Sequence, residues 1–214
     1  LMECLEYFSR LKKERRNGPA NLDLVTMLAQ DAVTANQPDS QFLGNLMLLI
    51  VGGNDTTRNS ISGGVLALNQ FPDQYDKLRA NPTLIPNMVA EIIRWQTPLA
   101  HMRRTAVEDV DFHGHTIKKG DKVVLWYLSA NRDEEVFENP DKLDIERENA
   151  RRHIAFGYGI HRCVGARLAE LQLRILLEEL HKRRMRVHLA GDIERVRANF
   201  VHGFRKLEVE ITEF

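Results

Sequence analysis

Phe156-Gly157-Tyr158-Gly159-Ile160-His161-Arg162-Cys163-Val164-Gly165 decides how the rest of this 214-residue chain is read. The stretch sets one cysteine among glycines, directly ahead of a run, Ala166–Lys182, that reads as a long helix. Leu168, Leu171, Ile175, Leu176 and Leu180 recur on one stripe of it. A thiolate needs a lowered pKa, and the helix N-terminus supplies positive potential beside the sulfur. Gly157, Gly159 and Gly165 permit positive φ and leave room where backbone must approach a flat ligand. Backbone N–H groups can then face the sulfur and tune its electron donation. Phe156 can shield it from water.

A single cysteine cannot hold an iron–sulfur cluster or a structural zinc, which usually need four ligands. One thiolate suits an oxygen-activating haem, because it pushes electron density toward O–O cleavage. For a lone cysteine the plainer reading is an inert buried thiol in a glycine-containing turn. The pattern around Cys163 argues otherwise. With Phe156, Gly157, Gly159, His161, Cys163 and Gly165 in place, the stretch resembles the haem-binding signature of the cytochrome P-450 family at every fixed position. The resemblance implies a mostly α fold with small β-sheets, haem b (iron protoporphyrin IX) as cofactor, and Cys163 as the axial ligand to iron. It also implies an O2-dependent monooxygenase that inserts one oxygen atom into a C–H bond.

The upstream chain reads as helical. Met2–Arg16 is charged and amphipathic and runs into a turn at Asn17-Gly18-Pro19. Asn21 or Asp23 caps a short helix through Gln30. Gln37-Pro38-Asp39-Ser40 is a strong start signal, with Asp39 or Ser40 as cap. The helix it starts runs from 41 to about 70, where Phe71-Pro72 ends it. About 30 residues would span roughly 45 Å. Further helices fit 73–79 and 84–96, the second stopping at Thr97-Pro98. Residues 110–114 read as a strand and tight turn, 122–128 as an apolar strand, 133–152 as irregular chain. The tail alternates at Leu207, Val209 and Ile211 and reads as β.

Gly52-Gly53-Asn54-Asp55-Thr56-Thr57 lies inside the longest helix. Two adjacent glycines cost it about 1 kcal/mol each. A tolerated kink is the plainer reading; the functional one is a groove where the helix bends to admit O2. The family has a matching motif of small residue, Gly, any, acid, Thr, then Thr or Ser. That resemblance implies that Thr56 hydrogen-bonds the bound oxygen and that Asp55 relays protons to it through water. An apolar pocket could not supply those protons.

Glu91 and Arg94 are three apart and share a helix face. Alone, the pair reads as an exposed ion pair worth about 0.3–0.5 kcal/mol. The resemblance implies a structural network, completed by Arg147 of Leu143-Asp144-Ile145-Glu146-Arg147. Haem propionates need cationic or hydrogen-bonding partners, and His161 and Arg104 are the candidates; Arg104 also reads as a charge on a strand edge. Arg151, Arg152, Arg162 and Arg167 read equally as a solvated face or as a basic patch. Such a patch would dock an acidic ferredoxin, reduced by an NAD(P)H-dependent ferredoxin reductase.

Pocket candidates are Leu48, Val51 and Gly52 before the acid–alcohol pair, Leu99, Ala100 and Met102 after the Glu–Arg helix, and Phe200 with Val201. They are apolar, so a small apolar substrate is expected beside O2. Residues 91–106 and the cysteine loop resemble the soluble bacterial branch that hydroxylates alkane chain ends. The same chemistry on a terpene or fatty acid, and a non-catalytic haem-binding sensor, stay open. Asp55 and Thr56 speak against the sensor, which needs no proton delivery.

Thirty Lys+Arg balance thirty Asp+Glu, and no basic tract suggests nucleic-acid binding. Cys4 and Cys163 are far apart, which fits a reducing cytoplasm better than a disulfide framework. The longest apolar run, 46–51, is far too short for a membrane span. The chain opens at Leu1 directly into a helical pattern, as if continuing from something longer. The resemblance covers the whole chain and corresponds to the second half of a family member. Residues 1–214 are therefore expected to be one partial domain whose N-terminal half is absent, prone to aggregate when expressed alone.

Overall fold

The computed structural model describes residues 2–213, in two units that divide between Asn54 and Asp55. The first unit holds α1 (Met2–Arg16), α2 (Leu24–Gln30) and the opening turns of α3 (Asp39–Gln70). Asp23 caps α2, accepting from the Thr26 N–H at 2.9 Å. Ala29, Phe42 and Leu46 form a small core, with Phe8, Val25 and Leu28 packed on it. Lys12 is buried with them: its Nζ donates to Gln37 O at 2.5 Å, lies 3.3 Å from Asp39 Oδ1 and sits over the Phe42 ring. Asp39, expected as a cap, faces Lys12 instead. The Pro38 carbonyl accepts from Gln41 and Phe42, so α3 starts two residues earlier than the sequence suggested.

The second unit carries the rest of α3, then α4 (Pro72–Ala80), α5 (Ile85–Gln96), the short α6 (Tyr127–Ala130) and α7 (Ala166–Lys182). Antiparallel pairs make its sheets: β1 (Met102–Thr105) with β4 (Lys122–Leu125), and β2 (Val110–Phe112) with β3 (His115–Ile117). In the same way β5 (Met185–Leu189) pairs with β8 (Val209–Glu213), and β6 (Glu194–Arg195) with β7 (Phe204–Lys206). The architecture is mostly helical with small sheets. α5 is its centre, with ten of its twelve residues buried. Met88, Ile92, Ile93 and Trp95 meet Leu66 of α3, Leu173 of α7 and Phe204 of β7 in one cluster. On α7 the residues that meet this cluster are Leu173 and Leu177, neither of them on the expected stripe, of which Leu168, Leu171 and Ile175 stay exposed.

Two sequence expectations change. The strand expected over 122–128 ends at Leu125, because the next residues turn into α6. There the Ala100 carbonyl accepts from Leu128 N–H and the Trp126 carbonyl from Ala130 N–H, which commits the backbone to a helical turn. The glycines that packing requires in α3 are Gly63 and Gly64, not the pair singled out from sequence. A Cβ on Gly63 would lie 2.3 Å from Gln96 Oε1, and one on Gly64 3.0 Å from Ile92 Cδ1. A Cβ on Gly52 or Gly53 would meet nothing within 4 Å, and α3 runs through them uninterrupted. Among the described residues, no helix is long and apolar enough to cross a membrane.

Candidate functional site

The cysteine loop is closed by its own backbone. Cys163 N–H donates to Phe156 O at 2.8 Å, Gly157 N–H to Ile154 O at 2.8 Å, and Arg162 N–H to Gly159 O at 3.0 Å. Gly157 and Gly159 take positive φ, 72° and 75°; at Gly157 a Cβ would also press the Tyr127 hydroxyl at 3.1 Å. Gly165, expected to need the same freedom, caps α7 at an ordinary φ of −86°. Phe156 is half-buried and packs on the core, anchoring the loop. The Cys163 thiol lies exposed at the N-terminus of α7. Around it in sequence, Tyr158, Ile160 and Val164 are 83%, 97% and 91% exposed, an apolar surface no described residue covers. His161 is exposed too, in a 3-10 turn. His153, which sequence reading passed over, has its ring 5.5 Å from that of Phe156. Burial pushes its pKa down to about 4, and the charges of Arg162, Arg94 and Arg151 add to the effect.

Behind the loop is a buried ion network. Arg94 is fully buried and donates all five of its N–H groups. Nε and Nη2 take both Glu91 oxygens, at 2.7 and 2.8 Å. The rest reach the carbonyls of Asn131 and Pro140, at 2.7 and 2.8 Å, and of Lys142 at 3.2 Å. Arg147 Nε adds to the same carboxylate at 3.1 and 3.2 Å, and the Asp144 N–H makes a further donor at 3.1 Å. This is no surface ion pair: it fixes the irregular chain over 138–147 onto α5. Asn131, also fully buried, extends it. Its Nδ2 donates to Thr97 Oγ1 at 2.9 Å, and its Oδ1 accepts from Ile154 N–H at 2.8 Å, two residues before the cysteine loop.

The acid–alcohol pair opens the second unit. Asp55 is half-buried; Arg58 pairs with one of its oxygens and Asn59 Nδ2 donates to the other at 3.0 Å. Thr56 is half-buried beside it, its carbonyl accepting from Ser60 Oγ at 2.9 Å. Of the pocket candidates, four come together: Leu99 and Val201 form a β-bridge, and Ala100 N–H donates to Phe200 O at 2.9 Å. His101 and Trp126, not foreseen, join them, with the His101 ring 4.7 Å from Trp126 and 5.7 Å from Phe200. The buried His101 Nδ1 has no hydrogen-bond partner among the described residues. Leu48, Val51 and Gly52 belong to the first unit and are exposed. Arg104 is half-buried in β1, its Nη1 donating to the neighbouring Arg103 O at 3.0 Å. Arg151 and Arg167 share a groove of about 290 Å³ with Arg174 and Glu170.

The donor set bears on the cofactor. Among the described residues no group of three His, Cys, Asp or Glu could hold a metal ion. One exposed thiol with exposed apolar neighbours in sequence fits a haem, which brings its own nitrogen ligands to iron and needs a single one from the protein. Cys163 would then be its protein ligand.

The profile of the Cytochrome P450 family matches residues 6–183. Linalool 8-monooxygenase of Pseudomonas putida is 46% identical over 211 residues, 98% of this chain and 51% of that protein. The structure of cytochrome P450-153 from Novosphingobium aromaticivorans is similar at 63% identity and a TM-score of 0.92, over 98% of this chain and 52% of that one. CYP153D17 from Sphingomonas sp. PAMC 26605 is similar at 60% identity and the same TM-score of 0.92, over 99% and 53%. The chain thus spans about half the length of the curated relatives it matches.

Proposed function

The chain belongs to the cytochrome P450 family, and from that premise we propose that it is the C-terminal part of a haem-thiolate monooxygenase acting on a small apolar substrate. Haem, when bound, supplies the iron at which O2 is activated and one oxygen atom enters a C–H bond. The observation that carries the reading is the closed loop that holds an exposed Cys163 thiol at the N-terminus of α7. His161 and Arg104 bind the propionates. Asp55 carries protons to the Thr56 hydroxyl. Leu99, Ala100, Phe200 and Val201 line the substrate side and exclude water. The Glu91–Arg94–Arg147 network holds the core rigid and takes no part in the chemistry.

Electrons come from an acidic ferredoxin, reduced by an NAD(P)H-dependent ferredoxin reductase; Arg151, Arg167 and Arg174 offer complementary charge. The substrate we favour is a medium-chain alkane, hydroxylated at its end, in line with the run over 91–106. A terpene is the second reading, favoured by the 46% identity to linalool 8-monooxygenase. We place the protein in the cytoplasm.

The test uses the full-length protein that carries this chain. Its reduced carbon-monoxide complex should show the strongly red-shifted absorbance of thiolate-ligated haem, and Cys163→His should lose both that band and turnover with NADH and a ferredoxin system. A Cys163→Ala variant that keeps the band would overturn the ligand assignment. A normal band without any turnover would favour a haem-binding sensor.

A further inference from the structure

Asn59 lies one helical turn beyond Asp55 and is 1% exposed. Its amide bonds in two directions. Nδ2 donates to Asp55 Oδ2 at 3.0 Å, and Oδ1 accepts from the Phe204 N–H at 3.1 Å, 145 residues along the chain. The amide cannot be turned over: a donor would then face the Phe204 donor, and an acceptor the carboxylate. Gly203 makes the approach possible, since a Cβ there would lie 2.5 Å from Nδ2 and 2.6 Å from Oδ1. The other Asp55 oxygen meets Arg58, whose side chain is 60% exposed. The carboxylate is therefore gripped on one side by a solvated guanidinium and on the other by a buried amide bonded at both ends.

The far end of that amide leads to the pocket candidates. Residues 200–202 lie along 98–100 through the Leu99–Val201 bridge and the bonds Ala100 N–H to Phe200 O and His202 N–H to Pro98 O, both 2.9 Å. Gln96 Nε2 donates to His202 O at 2.7 Å. Two residues further on, the Phe204 N–H reaches Asn59. One short run of backbone thus touches the proposed substrate side at Phe200 and, at Phe204, the amide that bonds Asp55, the proposed proton relay.

We propose that Asn59 is a positioning residue for Asp55, and that through Phe204 it sets the carboxylate according to how the 200–204 segment is seated. This rests on the reading of Asp55 as the proton relay. A substrate pressed on Phe200 and Val201 steadies the segment, the segment steadies the amide, and the amide holds the acid ready. Without substrate the hold slackens, which restrains proton delivery when there is nothing to oxidise.

The full-length holoprotein tests this with two variants. Asn59→Leu removes both bonds; Asn59→Asp keeps an acceptor for Phe204 but replaces the donor to Asp55 with a second carboxyl. Hydrogen exchange at the Phe204 amide should quicken in Asn59→Leu and stay slow in Asn59→Asp. The Asp55 carboxyl stretch, isolated in infrared spectra by subtracting Asp55→Asn, should shift in both. Product formed per NADH should fall roughly tenfold in both, less than the 100-fold or more for losing an acid outright. Gly203→Ala, which crowds the amide without touching the relay, should shift the same infrared band if the Asn59 variants fold poorly. An unshifted band with parental coupling in Asn59→Asp would overturn the proposal. If instead Asp55→Asn leaves coupling unchanged, the relay reading fails, and the infrared band alone decides whether Asn59 positions the carboxylate.

Discussion

Gly63 and Gln96 are packed so tightly that a Cβ on the glycine would come within 2.3 Å of the glutamine Oε1 and 2.5 Å of its Cδ. Gln96 cannot yield cheaply, because it is fully buried and its Nε2 is held by His202 O at 2.7 Å. Gly63→Ala should therefore destabilise the protein by about 1–3 kcal/mol, the usual cost of overpacking. Urea midpoints of the full-length holoprotein measure it, and an unchanged midpoint would mean that the glutamine moves aside freely.

Among the described residues, Glu91 is the only acid that both Arg94 and Arg147 bond. Glu91→Gln keeps the shape and removes the charge, leaving two buried guanidiniums without a counter-ion. Breaking a buried pair this way costs about 3–5 kcal/mol. Haem retention after gel filtration should drop along with the midpoint. A variant as stable as its parent would show that the carbonyls of the 138–142 segment suffice to neutralise both arginines.

His153 gives stability a pH dependence. Its folded pKa is depressed to about 4 from 6.5, chiefly by burial. Above the unfolded value the ring is neutral in both states and costs nothing. As pH falls from 6.5 toward 4, the unfolded chain binds a proton that the folded one refuses. Stability is then lost, by roughly 3 kcal/mol once pH has passed the folded value. His153→Phe should flatten that stretch of the stability–pH curve. Parallel curves for parent and variant, from urea midpoints across the window, would refute it.

Leu99 tests the substrate proposal. A methyl C–H bond is stronger than an internal one, so attack at a chain end requires a pocket that presents only the end. Packing discriminates by only about 1–3 kcal/mol per methylene-sized contact, so several side chains must cooperate. Leu99→Ala should raise the share of 2-octanol from octane without abolishing activity, as read by gas chromatography. Rapid terpene oxidation beside inert alkanes would move the protein to the second reading.

The cysteine loop was legible because its constraints are local. Positive φ at Gly157 and Gly159 and the start of α7 all lie within a few residues of the thiol. Glu91 and Arg94 were legible as a motif but not as chemistry, since i and i+3 spacing says nothing about burial. Asn59 left no trace in the sequence: beside Arg58 it reads as one more weak helix former, and its partner is 145 residues away. The strand expected at 122–128 failed for the same reason, since the bond that ends it comes from Ala100. The Gly52–Gly53 pair shows the converse error, a conspicuous sequence feature that the described packing does not require.

Asn131 has a consequence for anyone who would transplant the cysteine loop. Its carbonyl accepts from Arg94, its Nδ2 donates to Thr97, and its Oδ1 receives the backbone just ahead of the loop. The helix motif and the cysteine motif are therefore halves of one jig, aligned by a residue that belongs to neither. A graft carrying only the ten signature residues would arrive without its alignment pin. Chimaeras cut between 131 and 154 should misregister the thiol unless both sides of the cut come from the same parent.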